Sequence, residues 1–332
     1  MSTPLLEVTD LTRSVPVGGF LSRSRRTLLD HVSFTLERGE IVALVGESGS
    51  GKSTLARLLA RLDSPDGGRL QLGGVDVLAG EQRGASLAYR GRVQMVFQDP
   101  FASLNPAHTV AYHLERPLLR HGRATQANLQ ARVYSLLESV GLTPPESFAR
   151  RFPHELSGGQ RQRVAVARAL AVEPDVIIAD EPTSMLDVST RRGVLQLLRG
   201  LTRGEHGIGM LFITHDLASA RHLADRILVL YAGRVVESGP TAQVLSAPRH
   251  PYTRLLLSAL PDGADFLRAP LPVRASAGPM PRHGCAFAPR CPHADARCHD
   301  TLPAEHLPAA DHRVRCHLES SKGVPDNAAV SS

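Results

Sequence analysis

The sequence predicts an α/β fold built around a mostly parallel sheet, and three observations point to it. The short runs Ile41–Val45, Val176–Ala179 and Met210–Ile213 are continuously apolar, as strands buried on both faces are. A segment with helical spacing follows each run along the chain. Strands that alternate with helices are typical of a parallel sheet, because parallel strands need a crossover connection.

Weaker patterns add strands around these three. Leu5–Leu11 alternates weakly in polarity and predicts an edge strand, and Val32–Leu36 alternates as a second strand. The turn Ser64–Gly68, rich in Gly and Pro, leads into a short strand over Arg69–Leu72. Gln94–Phe97 predicts a further strand. Ile227–Leu230 and Arg234–Glu237 are expected to form a hairpin.

Helical spacing is strongest in the middle of the chain. Between Phe101 and Pro153, Val110–Arg120 and Gln126–Val140 predict helices, so we expect a helical insertion between two halves of an α/β core. The other expected helices are Leu55–Ala60, Gly159–Ala171, Thr190–Leu201 and Leu217–Ala224.

Bulk composition limits the classes of function. The 332 residues suffice for one large domain and a small one, and the net charge of +6 permits an anionic partner. Trp is absent and aromatic residues are few, which argues against stacking on single-stranded nucleic acid. No secretory signal and no apolar run near the roughly 20 residues of a membrane span are visible. We expect a protein kept in the cytoplasm or docked on a membrane from that side.

A glycine-rich stretch follows the first buried strand and precedes a helix. Gly46–Thr54 fits the phosphate-binding pattern G-x-x-x-x-G-K-[ST]. Its glycines let successive N–H groups point at one phosphate, and the helix N-terminus adds positive charge. Lys52 is expected to reach the β- and γ-phosphates, and the Ser53 hydroxyl to ligate Mg²⁺. The pattern predicts a P-loop NTPase core whose nucleotide-binding residues are Gly46, Glu47, Ser48, Gly49, Ser50, Gly51, Lys52, Ser53 and Thr54.

Two carboxylates, Asp180 and Glu181, follow the buried strand Val176–Ala179. Because ligands bind at the carboxyl ends of parallel strands, both acids are expected beside the phosphate loop. Asp180 suits the Mg²⁺ shell through water, and Glu181 suits a general base for the attacking water. A strand that merely ends in surface acids is the alternative interpretation.

Two further signals are weak when taken alone. Leu156–Gln160 reads Leu-Ser-Gly-Gly-Gln, in which Ser157 would cap a helix and the glycines would admit an anion. His215 follows the strand that ends at Thr214. Many helices begin Ser-Gly-Gly, and a lone histidine after a strand is more often structural than catalytic.

Together, these motifs resemble the complete series of an ABC ATPase. The resemblance covers about residues 5–247 and implies an ABC ATPase domain with a P-loop core, an antiparallel β subdomain and a helical subdomain. The series in chain order is the phosphate loop, Gln98, Leu156–Gln160, Asp180-Glu181, Ser184–Asp187 and His215.

The resemblance implies a role for each matched residue. Glu181 would be the base, His215 would contact the γ-phosphate, and Gln98 would reach Mg²⁺ and the attacking water near the docking point of a transmembrane subunit. MgATP would be held by Lys52, Ser53 and Asp180, with Ser53, Gln98 and Asp180 nearest to the metal.

The resemblance also implies a shared site. In this family two ATPase subunits close around two ATP molecules. Ser157, Gly158, Gly159 and Gln160 would therefore face the ATP held by the opposite subunit, and Asp187 would line the dimer interface.

One position departs from the family pattern. Similar proteins usually have a Tyr near the end of the first strand, where it stacks on adenine, but Val15 stands there in this chain. Phe20 from the following loop is the substitute we consider.

The C-terminal part narrows the family further. Arg249–Thr253 and Gly284–Cys291 resemble the C-terminal extension of oligopeptide and dipeptide import ATPases. This implies an extension over residues 248–320, a separate small unit with a poor core of its own, and a disordered tail over 321–332. Import ATPases of nickel, glutathione and some oligosaccharides have a similar extension, so these cargoes stay as alternatives.

That resemblance implies the partners and the location. The chain would lie on the cytoplasmic face of the cell membrane, bound to two transmembrane permease subunits and to an identical or related second ATPase. An extracytoplasmic binding protein would act indirectly. A nucleic-acid machine is a remote alternative, since such ATPases tend to carry tandem ATPase units or long coiled-coil insertions. A binding module without hydrolysis is disfavoured by intact Glu181 and His215.

All four cysteines lie beyond residue 284 and form the pattern C-x5-C-x6-C-x17-C. A cytoplasmic chain has little reason to gather them for disulfides, and thiolates can instead ligate a metal or a cluster. The resemblance favours a [4Fe–4S] cluster, with zinc and plain thiols as alternatives. Nearby arginines (Arg290, Arg297, Arg313 and Arg315) would offset its charge. The expected ligands are Cys285, Cys291, Cys298 and Cys316.

Overall fold

The computed structural model describes residues 3–17, 25–80, 84–99, 103–204, 207–258 and 283–320. Its strands are β1 (Leu6–Pro16), β2 (Arg25–Leu36), β3 (Ile41–Val45), β4 (Gly67–Leu72), β5 (Val75–Asp76), β6 (Val93–Val96), β7 (Val176–Asp180), β8 (Gly209–Thr214), β9 (Arg226–Tyr231), β10 (Arg234–Pro240), β11 (Glu305–Ala309) and β12 (His312–Arg315). Its helices are α1 (Lys52–Leu59), α2 (Val77–Gly80), α3 (Leu87–Arg92), α4 (Val110–Arg120), α5 (Leu129–Ser139), α6 (Pro145–Arg150), α7 (Gly158–Leu170), α8 (Val188–Arg203), α9 (Leu217–Leu223), α10 (Thr241–Ser246), α11 (Pro251–Ser258), α12 (Ala296–Asp300) and α13 (His317–Ser320).

The central sheet has eight strands in the order β11-β12-β10-β9-β3-β8-β7-β6. Strands β9, β3, β8, β7 and β6 run parallel, which confirms the predicted α/β fold. Strands β3, β7 and β8 are buried along their whole length, as their unbroken apolar sequences require. The carboxyl ends of the parallel strands share one edge, so the segments that follow Val45, Val96, Asp180 and Thr214 meet there.

A second sheet of four strands, in the order β2-β1-β4-β5, is antiparallel. Strand β1 pairs with β2 on one side and with β4 on the other, so the expected edge strand is in fact an interior strand and extends to Pro16. Leu6, Val8 and Leu11 point inward and are buried, which explains why an interior position is favoured. This sheet is the antiparallel β subdomain that the resemblance implied.

Helices α4 to α6 lie in the predicted helical insertion, and α7 is the helix expected to follow it. Thr109 caps α4 by accepting a hydrogen bond from the Tyr112 N–H, and Ser157 caps α7 in the same way. The apolar faces of α4 and α5 pack into the core through Val110, Leu114 and Leu137. The Pro144–Pro145 pair, read from sequence only as a break, begins the short helix α6.

Residues 283–320 join the main sheet. Strand β12 pairs antiparallel with β10, and β11 pairs with β12 at the sheet edge. Phe287, Cys291 and Tyr252 belong to the same apolar core as the ATPase strands. The described part of the C-terminal segment therefore shares the core of the main domain, and it is not the separate small unit that the sequence predicted.

Within the described residues, no helix has the length and apolar character needed to cross a membrane.

Candidate functional site

The phosphate loop between β3 and α1 depends on its glycines. Gly46 and Gly51 adopt positive φ angles of 155° and 112°. A Cβ atom on Gly46 would lie 2.2 Å from the Leu230 carbonyl oxygen, and one on Gly51 would lie 2.7 Å from that of Leu28. Only glycine fits such close backbone approaches, so the local sequence fixes the curled path of the loop.

Lys52 is the cation of this loop. Its side chain is buried, and its Nζ donates hydrogen bonds to the carbonyl oxygens of Gly46, at 2.7 Å, and Glu47, at 2.9 Å. Burial lowers the pKa of Lys52, while the charges of Glu181 and Asp180 act in the opposite direction. The ammonium lies inside the loop, in reach of anionic groups that the loop binds.

Ser53 and Asp180 form a polar pair beside Lys52, in which the Ser53 hydroxyl is hydrogen-bonded to the Asp180 carboxylate. Burial raises the pKa of Asp180, and the hydrogen bond from Ser53 opposes this shift. The Oδ1 atom of Asp180 is buried and has no hydrogen-bond partner. A buried carboxylate oxygen without a partner, next to a hydroxyl, fits a hard cation that takes oxygen ligands, so the residues present suit Mg²⁺.

Glu181 is the centre of a second polar group. Its Oε2 atom accepts a hydrogen bond from Gln98 Nε2 at 3.1 Å and lies 3.2 Å from His215 Nδ1. The three residues follow β7, β6 and β8, so the parallel register of these strands brings them together. This arrangement can hold and polarise a water molecule beside the phosphate loop. The structure thus places the sequence-predicted residues Gln98 and His215 both in contact with Glu181.

The Leu156–Gln160 motif is built as a helix start. Ser157 Oγ accepts a hydrogen bond from the Gln160 N–H at 3.3 Å, and Gln160 Oε1 accepts one from the Ser157 N–H at 3.0 Å. Gly159 is required by packing, since a Cβ there would lie 2.1 Å from Thr190 Cγ2 on α8. In the described part of the chain, no hydrogen bond or ion pair joins this motif to the phosphate loop.

Asp187 begins α8 as its N-cap. Its carboxylate accepts hydrogen bonds from the Ser189 hydroxyl, at 2.6 Å, and the Thr190 N–H, at 2.9 Å, and these hold its pKa well below the usual range. Met185 and Val188 beside it are 58% and 81% exposed, which gives this loop an apolar outer surface.

The residues considered for stacking on adenine, in place of the Tyr of similar proteins, belong to β1 and the segment between β1 and β2. Val15 lies in β1 opposite Arg26 of β2. Phe20, the proposed substitute for the missing Tyr, lies outside the described residues.

Sequence reasoning missed two contacts to the phosphate loop. The Arg290 guanidinium binds the Glu47 carboxylate through two hydrogen bonds, and the Tyr252 hydroxyl accepts the Glu47 N–H. Neither residue belongs to a nucleotide motif, and they are separated from Glu47 by 243 and 205 positions. The sequence indicated these contacts only through the resemblance of Arg249–Thr253 and Gly284–Cys291, which contain Tyr252 and Arg290, to a family extension.

In the described part of the chain, none of the four cysteines forms a disulfide bond. The Cys285 N–H donates to the Cys298 carbonyl oxygen at 2.8 Å, and burial raises the pKa of Cys285 and of Cys316 to about 11. Across the described residues, no group of three or more His, Cys, Asp or Glu side chains is arranged to hold a metal ion.

The iron–sulfur hypothesis therefore has no support in the structure, nor has the zinc alternative, and we derive no step through either. The arginines expected to offset a thiolate cluster are engaged elsewhere. Arg297 pairs with Asp295, and Arg313 and Arg315 pair with Glu305.

The fold and this arrangement of loop, carboxylates, glutamine and histidine define an ATPase cassette of the ABC class. The profile of the ABC transporter family matches residues 29–184. The chain is similar to the ATP-binding cassette MJ0796, solved as a post-hydrolysis dimer with ADP and Pi, with 31% identity, a TM-score of 0.62 and coverage of 71% of this chain and 98% of that one. It is also similar to cbiO1 of Clostridium perfringens, part of the ABC transporter complex cbiONQ, with 27% identity, a TM-score of 0.62 and coverage of 74% and 91%.

Further matches define the branch. The profile of the oligopeptide/dipeptide transporter C-terminal region matches residues 236–298. The dipeptide transport ATP-binding protein DppF of Haemophilus influenzae is 44% identical over 313 residues, which cover 91% of this chain and 93% of that protein. DppF of Escherichia coli K12 is 44% identical over 298 residues, with coverage of 88% and 87%. The chain belongs to the family of ABC transporter ATP-binding subunits, in its oligopeptide/dipeptide branch.

Proposed function

We propose that this chain is the ATP-hydrolysing subunit that energises import of dipeptides or oligopeptides through a membrane ABC transporter. The observation that carries the proposal is the meeting of Gln98, Glu181 and His215 beside the phosphate loop. The relatives named for dipeptide transport, which align over most of the chain, support the peptide cargo.

Each residue of the site would have a distinct role in ATP hydrolysis. Lys52 and the loop N–H groups would bind the β- and γ-phosphates, and Ser53 and Asp180 would hold Mg²⁺, which neutralises phosphate charge when bound. Glu181 would accept a hydrogen bond from the attacking water, and Gln98 would orient that water. His215 would donate a hydrogen bond to the γ-phosphate.

Domain boundaries and location complete the proposal. The ATPase domain would span residues 5–247 and the extension 248–320, and the chain would be peripheral on the cytoplasmic membrane face. Two permease subunits and a second ATPase, identical or related, would bind it there. A binding protein outside the membrane would deliver the cargo.

A cleft of about 850 Å³ beside Phe97, next to Gln98, supports the permease contact. It lies between the α4 face and the β6 end, and none of its described lining residues is acidic. Such a basic, partly aromatic cleft suits a permease helix that carries acidic side chains. Its cationic residues are Arg90, Arg116, Arg120 and Arg168.

The decisive experiment is transport in proteoliposomes that contain the chain with peptide-permease subunits, a second ATPase and a peptide-binding protein. We expect ATP-dependent uptake of a labelled dipeptide, lost in Glu181→Gln. Arg116→Glu should weaken co-purification with the permease and leave nucleotide binding intact, whereas Arg221→Glu, at an exposed site on α9, should change neither.

Other outcomes would redirect the assignment. Uptake of nickel, glutathione or an oligosaccharide instead of peptide would identify an alternative cargo. ATP hydrolysis stimulated by nucleic acid but not by the permease would refute the transport role.

A further inference from the structure

The C-terminal segment contacts the phosphate loop at its second residue. Arg290 donates two hydrogen bonds to the Glu47 carboxylate, from Nη1 to Oε2 at 2.7 Å and from Nη2 to Oε1 at 2.9 Å. The Tyr252 hydroxyl accepts a hydrogen bond from the Glu47 N–H at 2.7 Å. Both the backbone and the side chain of Glu47 are therefore held by residues outside the ATPase motifs.

Contacts other than the ion pair with Glu47 also hold Arg290 in position. A short 3-10 turn over Ala288–Arg290 presents it, and its guanidinium lies 5.6 Å from the ring centroid of Phe287 and 5.9 Å from that of Tyr231. Phe287 is buried in the main core. A guanidinium held against two rings loses little further freedom when it forms a two-point ion pair.

The same segment forms one wall of a cleft that the phosphate loop lines. The residues that line this cleft of about 540 Å³ include Ser48, Gly49 and Ser50 of the loop and Gly284, Ala286 and Leu302 of the segment. Residues of the segment and of the phosphate loop therefore line the same cleft.

The ion pair between Arg290 and Glu47 changes the charge that the phosphate loop presents to an anion. A free carboxylate on the second residue of a phosphate-binding loop would repel a polyphosphate, and the charge of Glu47 is near enough to act on Lys52. The Arg290 guanidinium neutralises this carboxylate through both oxygens. The loop then presents to an anion mainly its N–H groups and Lys52.

We propose that Arg290 is a positioning residue of the ATP site, which holds and neutralises Glu47 so that the C-terminal segment sets the nucleotide affinity of the phosphate loop. The inference rests on the proposed function only in requiring that the loop binds ATP, and it is independent of cargo and permease.

The test is calorimetric titration of the full chain with Mg²⁺ and a non-hydrolysable ATP analogue. The Arg290 and Glu47 side chains are 23% and 41% exposed, so solvent weakens the pair. We expect Arg290→Met to raise the dissociation constant about 3- to 10-fold. Arg290→Lys should recover part of the loss. Arg297→Met removes an arginine of the same segment that pairs with Asp295, and it should bind as wild type.

A double variant separates charge from folding. In Glu47→Gln/Arg290→Met no carboxylate is left unpaired, so the affinity should return to within about 2-fold of the Glu47→Gln single variant. Unchanged affinity in Arg290→Met, or a double variant as weak as Arg290→Met, would overturn the proposal. Thermal melting of each variant identifies a folding defect, which Glu47→Gln would not repair. Failure of the wild-type chain to bind the analogue would instead refute the ATPase assignment.

Discussion

At the scale of single residues, Glu181 shows how backbone geometry aims a side chain. It adopts a left-handed φ of 44°, and its N–H donates to the Ile213 carbonyl oxygen at 2.9 Å on the neighbouring strand. A left-handed conformation costs a non-glycine residue on the order of 1 kcal/mol, so it persists only where surrounding contacts impose it. Here those contacts direct the carboxylate toward Gln98 and His215.

Glu181→Gln should keep this geometry and remove the base. We expect ATP turnover to fall by about 10²- to 10⁴-fold, the usual contribution of a general base, while nucleotide binding persists. Steady-state phosphate release and analogue titration would measure the two effects. Glu173→Gln, a carboxylate that pairs with Arg123 and Arg132, is the matched control and should retain turnover. Near-normal turnover of Glu181→Gln would exclude Glu181 as the base.

Gly159→Ala should destabilise the protein, because its Cβ would overlap Thr190 Cγ2 at 2.1 Å. Overpacking of this kind costs about 1–3 kcal/mol of unfolding free energy, which urea denaturation would measure. Adding Thr190→Ser removes the opposing methyl group and should restore much of the loss. Gly158→Ala meets only Leu186 at 3.5 Å, so it is the control expected to be mild. A Gly159→Ala variant as stable as wild type would show that α7 and α8 separate readily.

At the scale of elements, one buried carboxylate joins β10, β12 and the start of α11. Glu237 on β10 accepts hydrogen bonds from the N–H groups of Arg249, at 2.7 Å, and His250, at 2.9 Å. Its Oε1 also lies 2.7 Å from His312 Nε2 on β12. His250 Nδ1 in turn accepts the Tyr252 N–H at 3.0 Å. The C-terminal segment is therefore fastened to the sheet by polar contacts as well as by its apolar residues.

This anchor predicts a pH dependence of stability. Burial lowers the pKa of His250 to about 4, and the charge of Glu237 opposes the shift while that of Arg254 adds to it. Below an ordinary pKa near 6.5 the unfolded chain binds a proton that the folded chain refuses, so stability falls as the pH drops from about 6.5 to about 4. A shift of this size corresponds to about 3 kcal/mol at most.

Urea denaturation across this pH range would measure the effect. His250→Asn cannot titrate and should show a flatter profile than wild type. His222→Asn replaces an exposed histidine and should retain the wild-type profile. Identical profiles for wild type and His250→Asn would mean that His250 does not titrate in this way. Glu237 and His312, which face the same site, are present in all three proteins.

At the scale of the whole molecule, only some of the ABC motifs in the sequence come together at the phosphate loop of the same chain. Gln98 and His215 both contact Glu181 beside the phosphate loop, but Ser157 lies exposed at the start of α7 with no direct bond to that loop in the described part of the chain. The apolar surface of Met185 and Val188 near Asp187 is left open as well. Both features agree with a site completed by a second ATPase subunit.

Ser157→Arg should block that completion. The larger cation would obstruct the opposite subunit, and the lost cap would cost only about 1 kcal/mol of stability. In a Glu181→Gln background, size-exclusion chromatography with ATP should show dimers that Ser157→Arg abolishes, while the monomer still binds ATP. Ser86→Arg removes a comparable cap from α3 and should leave dimers intact. Persistent dimers in Ser157→Arg would refute the shared site.

The sequence by itself determined those features whose cause is local. The buried strands β3, β7 and β8 follow from continuous apolar runs. The phosphate loop follows from glycines at positions where no other residue fits. The capped start of α7 follows from a serine three residues before a glutamine. Asp180 and Glu181 could be placed beside the phosphate loop from sequence, because the carboxyl ends of parallel strands lie at the same edge of the sheet.

Only the tertiary structure decided contacts between distant segments. Neither polarity nor spacing could show that β1 is paired on both sides, that β11 and β12 extend the main sheet, or that the four thiols form no metal site in the described chain. The pairing of Arg290 with Glu47 across 243 positions depends on how the whole chain packs. A one-dimensional pattern records each residue's own preferences, whereas an ion pair between remote residues exists only once the core has brought their backbones together.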